Sequence, residues 1–130
     1  MIENIGGVTS QLVQLALDAS LLRHQVTANN IANVDTQGYL TQRVSFEEYL
    51  SRFSTASIDN ASDALLGNEI ESLRNRLNQA QSLVSSTGEA VQLDREMVEL
   101  TENLLRYRAL LEANGKRGEV LKMAISERRV

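Results

Sequence analysis

At the N-terminal end of the chain, Ile5, Val8, Leu12, Leu15, Ala19, Leu22 and Val26 recur at alternating spacings of 3 and 4, and the phase continues into polar residues at Asn29 and Asn33. Residues so spaced share one face of an α-helix, so the pattern predicts a helix over residues 1–34 with a single apolar seam. Ala16, Leu17, Leu21, Ala28, Ile31 and Ala32 sit on neighbouring positions and widen the apolar face, as expected of a helix packed on more than one side. At the other end Leu93, Met97, Leu100, Leu104, Tyr107 and Leu111 keep one register, which runs on through Asn114 and Gly118 to Leu121 and Ile125. This predicts a second heptad helix over residues 89–130. Glycine costs about 1 kcal/mol against alanine inside a helix, so a kink, fraying or a close backbone approach is expected at Asn114-Gly115 and Gly118.

Between the two ends the pattern changes. Asp35-Thr-Gln-Gly-Tyr39 has the composition of a turn, and Tyr39 to Val44 alternates like a short extended segment. Ser45-Phe-Glu-Glu48 has capping-box spacing and predicts a short helix over Phe46 to Phe53. Residues 54–68 are rich in Ser, Thr, Ala, Asp and Asn with only Ile58, Leu65 and Leu66 as large apolar anchors, the composition of a flexible connector. Ile70, Leu73, Leu77 and Ala80 predict an amphipathic helix within Glu69 to Val84, which Ser85-Ser-Thr-Gly88 should end. The whole reads as an all-α fold: long terminal helices paired as an antiparallel, coiled-coil-like hairpin, with a short extended turn segment and a flexible or partly helical middle. The segments are 1–34, 35–53, 54–88 and 89–130, with both termini contributing to one domain.

Composition narrows the function. The chain has 130 residues with no cysteine, no proline, no tryptophan and one histidine, so disulfide frameworks, thiolate metal sites and cysteine nucleophiles are excluded. A lone His24 cannot build a multi-histidine zinc site, and no cofactor, metal or small-molecule substrate is expected. No apolar run exceeds three residues, far below the roughly 20 of a membrane-spanning helix, so membrane insertion is not expected either. A net charge of −4 repels phosphate backbones and argues against nucleic acid. Met1-Ile-Glu-Asn-Ile-Gly-Gly7 lacks the cationic and apolar regions of a cleaved secretory signal.

The most informative segment is Ala28-Asn-Asn-Ile-Ala-Asn-Val-Asp-Thr-Gln-Gly-Tyr39. Asn29, Asn30 and Asn33 crowd a helix end, where asparagine is a poor interior former but a good terminator, and amides at seam positions often set register. Taken alone, this is also what a frayed, asparagine-rich helix end looks like. The stretch resembles the signature of bacterial flagellar rod and hook proteins, a pattern like Ala-x-Asn-Ile-Ala-Asn-x-x-Thr-Pro-Gly-Tyr, with Gln37 in place of the family's proline. Val91-Gln-Leu-Asp-Arg-Glu-Met97 and Glu102-Asn-Leu-Leu-Arg-Tyr107 look like the short members at the base of the rod. The likeness covers roughly residues 10–50 and 88–125.

The resemblance implies a structural subunit of the basal-body rod, exported unfolded through the flagellar type III apparatus without a cleaved signal and polymerised through its terminal helices into a hollow axial shaft. Implied partners are other copies, other axial rod proteins, and basal ring and export-gate proteins. The residues expected to carry assembly are Leu22, Val26, Asn29, Asn30, Ile31, Asn33, Gly38 and Tyr39 from the motif, with Leu100, Leu104, Tyr107 and Leu111 opposite. In this picture the two seams meet inside one subunit, and the second N-terminal stripe and the Asn-rich turn meet neighbours. The rivals are a small helical adaptor or export chaperone holding a partner helix, and an enzyme pairing His24 with Asp18, Glu47 or Glu48.

Overall fold

A computed structural model of the chain describes residues 2–48, 51 and 63–128. Helix α1 spans Ile2–Ala32, strand β1 Leu40–Val44, helix α2 Asp63–Asn78, strand β2 Val84–Ala90 and helix α3 Leu93–Glu127, with a 3-10 turn at Ala80–Ser82. A helical turn at 46–48 follows β1, and the remainder of the helix predicted to Phe53, apart from residue 51, lies outside the described residues, as does the connector over 52–62.

The two long helices pack on each other. They run antiparallel, since Asn30 near the end of α1 meets Glu96 near the start of α3, while Ser20 one stretch earlier meets Asn103. The hairpin therefore forms, but not through the two seams. The α1 seam residues Leu15 and Ala19 enter a core with Phe46, Ile70, Leu73 and Leu83, against which Leu12, Leu22, Val44 and Leu77 pack. Helix α3 adds nothing to this cluster, and its buried residues are Glu96 and Asn103. The physical reason lies in α2: its Ile70, Leu73 and Leu77 present an apolar ridge that takes up the α1 seam, leaving α3 the neighbouring face on which Ser20, Thr27 and Asn30 are buried.

Three further expectations change. Helix α2 begins at Asp63, inside the expected connector, and stops at Asn78 rather than reaching Val84. The Ser85–Gly88 segment is not a helix-ending turn; it is part of β2, paired antiparallel with β1 through Arg43↔Ser85 and Val44↔Val84. The pairing is irregular between Leu40 and Gln42, and Gly88, with φ +78°, supplies the left-handed backbone conformation at that irregularity. Finally, α3 runs unbroken through Gly115 and Gly118, whose Cα positions meet no neighbouring atoms that a side chain would touch. The flanking good helix formers carry the two glycines without an interruption. Ser45, expected to cap the next helix, donates its hydroxyl to the Leu83 carbonyl at 3.2 Å, and its amide donates to the same oxygen at 3.0 Å. It ties the two ends of the ribbon to the core.

Candidate subunit-interaction surface

The asparagine cluster resolves into two tasks. Asn33 closes α1 on itself: its Nδ2 donates to the Asn29 carbonyl at 2.8 Å, and its Oδ1 accepts from the Thr36 hydroxyl at 3.1 Å. Orphan carbonyls at a helix C-terminus need such donors. Asn29 itself is exposed. The Tyr39 amide then donates to the Thr36 carbonyl at 3.2 Å, with Gly38 at φ +79° as the third residue of the turn. Gln37 occupies the second position, where proline is favoured because its φ suits the turn. The turn survives without it, since the hydrogen bond comes from Tyr39 and the positive φ from Gly38.

Asn30 turns inward and is fully buried. Its Nδ2 donates to the Gln42 carbonyl and to Glu96 Oε2, both at 2.9 Å. Its Oδ1 accepts from the Gln42 amide at 3.0 Å and from the Tyr39 hydroxyl at 3.1 Å. One amide thereby joins α1, the turn, β1 and α3. Glu96, 1% exposed, receives a two-pronged Arg43 guanidinium at 3.0 and 2.5 Å. Burial pushes the Glu96 carboxyl up, but the bonds from Arg43 and Asn30 and the Arg43 charge outweigh it and hold the group below its ordinary value. The same bond to Glu96 raises Arg43, against its partial desolvation. A charge placed this deep is tolerated only when so fully paired.

Further along the pair, Asn103 Nδ2 donates to the Ser20 carbonyl at 2.8 Å, while its Oδ1 is buried with no partner. Arg23 donates to Glu47, and Arg106 stands 3.9 Å from the same carboxylate. Burial works to raise Glu47, yet its bond from Arg23 and the two arginine charges leave it lowered. The helix pair is thus held by polar pins at Asn30–Glu96 and Asn103–Ser20.

The consequence is an outward-facing stripe. Of the residues expected opposite the motif, Leu100 and Tyr107 are half-buried, while Leu104 and Leu111 are 40% and 45% exposed, together with Leu93 and Met97 at 44% and 49%. From the motif itself, Val26 is buried, Leu22, Ile31 and Tyr39 are half-buried, and Gly38 is exposed. The structure brings Asn30 and Tyr39 together with Glu96, Arg43 and Gln42, three residues that periodicity does not single out. Glu96 and Asn103 do leave a trace, being polar residues seven apart in a leucine-rich helix, the spacing of a polar seam. His24 lies on the exposed side of α1, while Glu47, one of the carboxylates proposed for it, is engaged by the two arginines. Among the described residues no helix is long and apolar enough to cross a membrane.

Comparison with known proteins bears on the same residues. A family model described as "Flagella basal body rod protein" matches residues 14–39, the C-terminal part of α1 and its turn. A Bacillus subtilis (strain 168) protein named "Flagellar basal body rod protein FlgB" is 32% identical over 111 residues, covering 83% of this chain and 86% of the relative. The protein of the same name from Borrelia hermsii is 29% identical over 115 residues, covering 80% and 85% respectively. No solved structure matches the chain.

Proposed function

The chain belongs to the flagellar basal body rod proteins, and from that premise we propose that it joins the rod through the outward stripe of α3 and the asparagine-closed end of α1. It is a structural subunit of the basal body, and relatives matched over most of their length do not favour the adaptor or chaperone reading. The partners in this reading are other copies and other axial rod proteins, with basal ring and export-gate proteins at the ends of its path. In this reading it passes through the flagellar apparatus and takes its place in the periplasm-spanning shaft. The absence of proline and cysteine suits a chain that refolds after export, because neither slow X-Pro isomerisation nor thiol oxidation intervenes.

One observation carries the proposal: Leu93, Met97, Leu104 and Leu111 follow one another along α3 in heptad register and are all exposed, on a helix whose described buried residues, Glu96 and Asn103, are polar. A monomer rarely leaves so long an apolar row uncovered unless a partner covers it. The test is Leu104→Asp. Since Leu104 is exposed, the variant is expected to keep its helix content by circular dichroism while losing incorporation into basal bodies and abolishing swimming. Normal swimming would remove the stripe from the assembly surface.

A further inference from the structure

The polar pins and the outward stripe account for two sides of α3. Glu96, Asn103, Leu110 and Arg117, seven apart, mark the side turned to α1: the first two are buried and the others half-buried. Leu93, Met97, Leu104 and Leu111 lie on one flank of that line. On the other flank, toward the C-terminal end, Lys116, Val120, Met123 and Glu127 follow at spacings of 4, 3 and 4 and therefore share a face. All four are exposed, Val120 and Met123 at 59% each.

The order of these four residues is its own complement. A second copy laid antiparallel sets Lys116 against Glu127 at both ends and Val120 against Met123 twice in the middle. A parallel copy in register would set Lys116 on Lys116 and Glu127 on Glu127, and like charges opposed across a contact cost affinity. Order selects the antiparallel copy, not net charge, since from Glu112 to Arg128 there are four basic and three acidic side chains. By helical rotation Arg117 and Glu119 flank the face, one on each side, while Lys122 and Arg128 lie farther round. Glu112 stands 3.2 Å from Lys116, but both are largely exposed, and so weak a surface pair leaves the ammonium able to serve a second carboxylate. Glu127 ends α3, where the helix dipole disfavours a carboxylate and a partner's cation offsets that cost.

We propose that two copies of the chain pair antiparallel through this face, Lys116 of each meeting Glu127 of the other around a centre of Val120 and Met123. The contact is isologous: it closes at two copies and holds free chains as pairs rather than extending a shaft. It goes beyond the rod reading and does not depend on it. The face runs over 12 residues, about 18 Å of helix, so the contact belongs with small, transient interfaces.

Sedimentation equilibrium of the purified full chain from about 1 μM to about 1 mM covers an interface of that class. The expected result is a reversible monomer–dimer equilibrium. Lys116→Glu and Glu127→Lys each place like charges at both ends of the pair, and each is expected to weaken it about tenfold or more. The double variant, and an equimolar mixture of the two single variants, restore opposite charges at both ends and should regain the parental affinity. Both positions are exposed, so circular dichroism should not change. A parental chain that stays monomeric to the highest concentration overturns the pairing. A dimer that neither charge reversal weakens, or a double variant that fails to regain it, overturns the antiparallel arrangement. A dimer that Leu104→Asp dissociates puts the contact on the stripe and overturns it equally. Basal bodies that contain the parental chain, when the purified chain is monomeric, sink the pairing and leave the rod reading standing; a dimeric chain absent from basal bodies does the reverse.

Discussion

Replacing Asn30 by aspartate changes one atom's chemistry at the point where four segments meet. The side chain keeps its shape, but Nδ2, which donates to Glu96 Oε2 and to the Gln42 carbonyl at 2.9 Å, becomes a carboxylate oxygen facing a carboxylate. Two unit charges about 4 Å apart repel by about 4 kcal/mol at an effective dielectric near 20. Repulsion raises the folded-state pKa of the new group above its unfolded value, so the penalty is absent below that value and grows as pH rises to the folded one. Its growth cannot exceed about 1.4 kcal/mol per pH unit above an unfolded pKa of about 3.9, giving at most about 1.5 kcal/mol at pH 5 and about 4 kcal/mol at pH 7. In the parent the Glu96 pKa is lowered; in the variant the two contacting carboxyls titrate as a pair, and the pH-dependent loss belongs to that pair. Urea unfolding followed by circular dichroism should therefore show a loss in the variant that widens by about 2–3 kcal/mol from pH 5 to pH 7. Asn30→Ala serves as the uncharged control: it loses the two Nδ2 bonds and also the two that Oδ1 accepts, costs about 3–5 kcal/mol, and shows no such widening. A variant Asn30→Asp as stable as the parent at pH 7, or equally destabilised at both pH values, would refute the idea that this amide holds the Glu96 carboxylate.

Other consequences follow from the same contacts. Glu96→Gln should cost about 2–3 kcal/mol, less than a fully buried pair because Arg43 reaches solvent. With its pKa lowered, Glu96 adds stability above its ordinary value of about 4.3 that is lost as pH falls through the folded value, so acid titration of unfolding should flatten in this variant. Asn103→Leu removes a buried acceptor that has no partner while giving up one bond to Ser20, and thermal unfolding should register a change within about 1 kcal/mol; a loss above about 2 would assign the amide a larger role. Gly38→Ala forces an L side chain into φ +79° and should lower stability by about 1–2 kcal/mol in denaturant titration, without altering helix content.

Several levels of this molecule are readable from residue order. The 3-and-4 spacing of apolar residues defines both terminal helices, because a helix repeats its faces whatever surrounds it. The turn at Thr36–Tyr39 is legible for the same local reason: Gly38 supplies the positive φ and the bond closes within four residues. The family signature likewise sits in one contiguous stretch, residues 14–39 of the matching model. Strand β2 is different. Val-Ser-Ser-Thr-Gly-Glu-Ala has no alternating pattern, and its extended form depends on pairing with β1, more than 40 residues away for most of the ribbon.

Which face meets which was decided only in three dimensions. The α1 seam is apolar whether it packs on α3 or on α2, and periodicity cannot distinguish two ridges of equal hydrophobicity. Competition between them settled it: Ile70 and Leu73 took the seam, Glu96 and Asn103 turned inward on α3, and Leu93, Leu104 and Leu111, which looked like part of an intramolecular seam, were left exposed. Asn30 shows the division in one residue. Its neighbourhood in sequence marks a helix end, but its four hydrogen bonds come from Tyr39, Gln42 and Glu96, and only the folded chain brings those groups to it. Local geometry is written in spacing, whereas the partner of each face depends on every other face seeking burial at once.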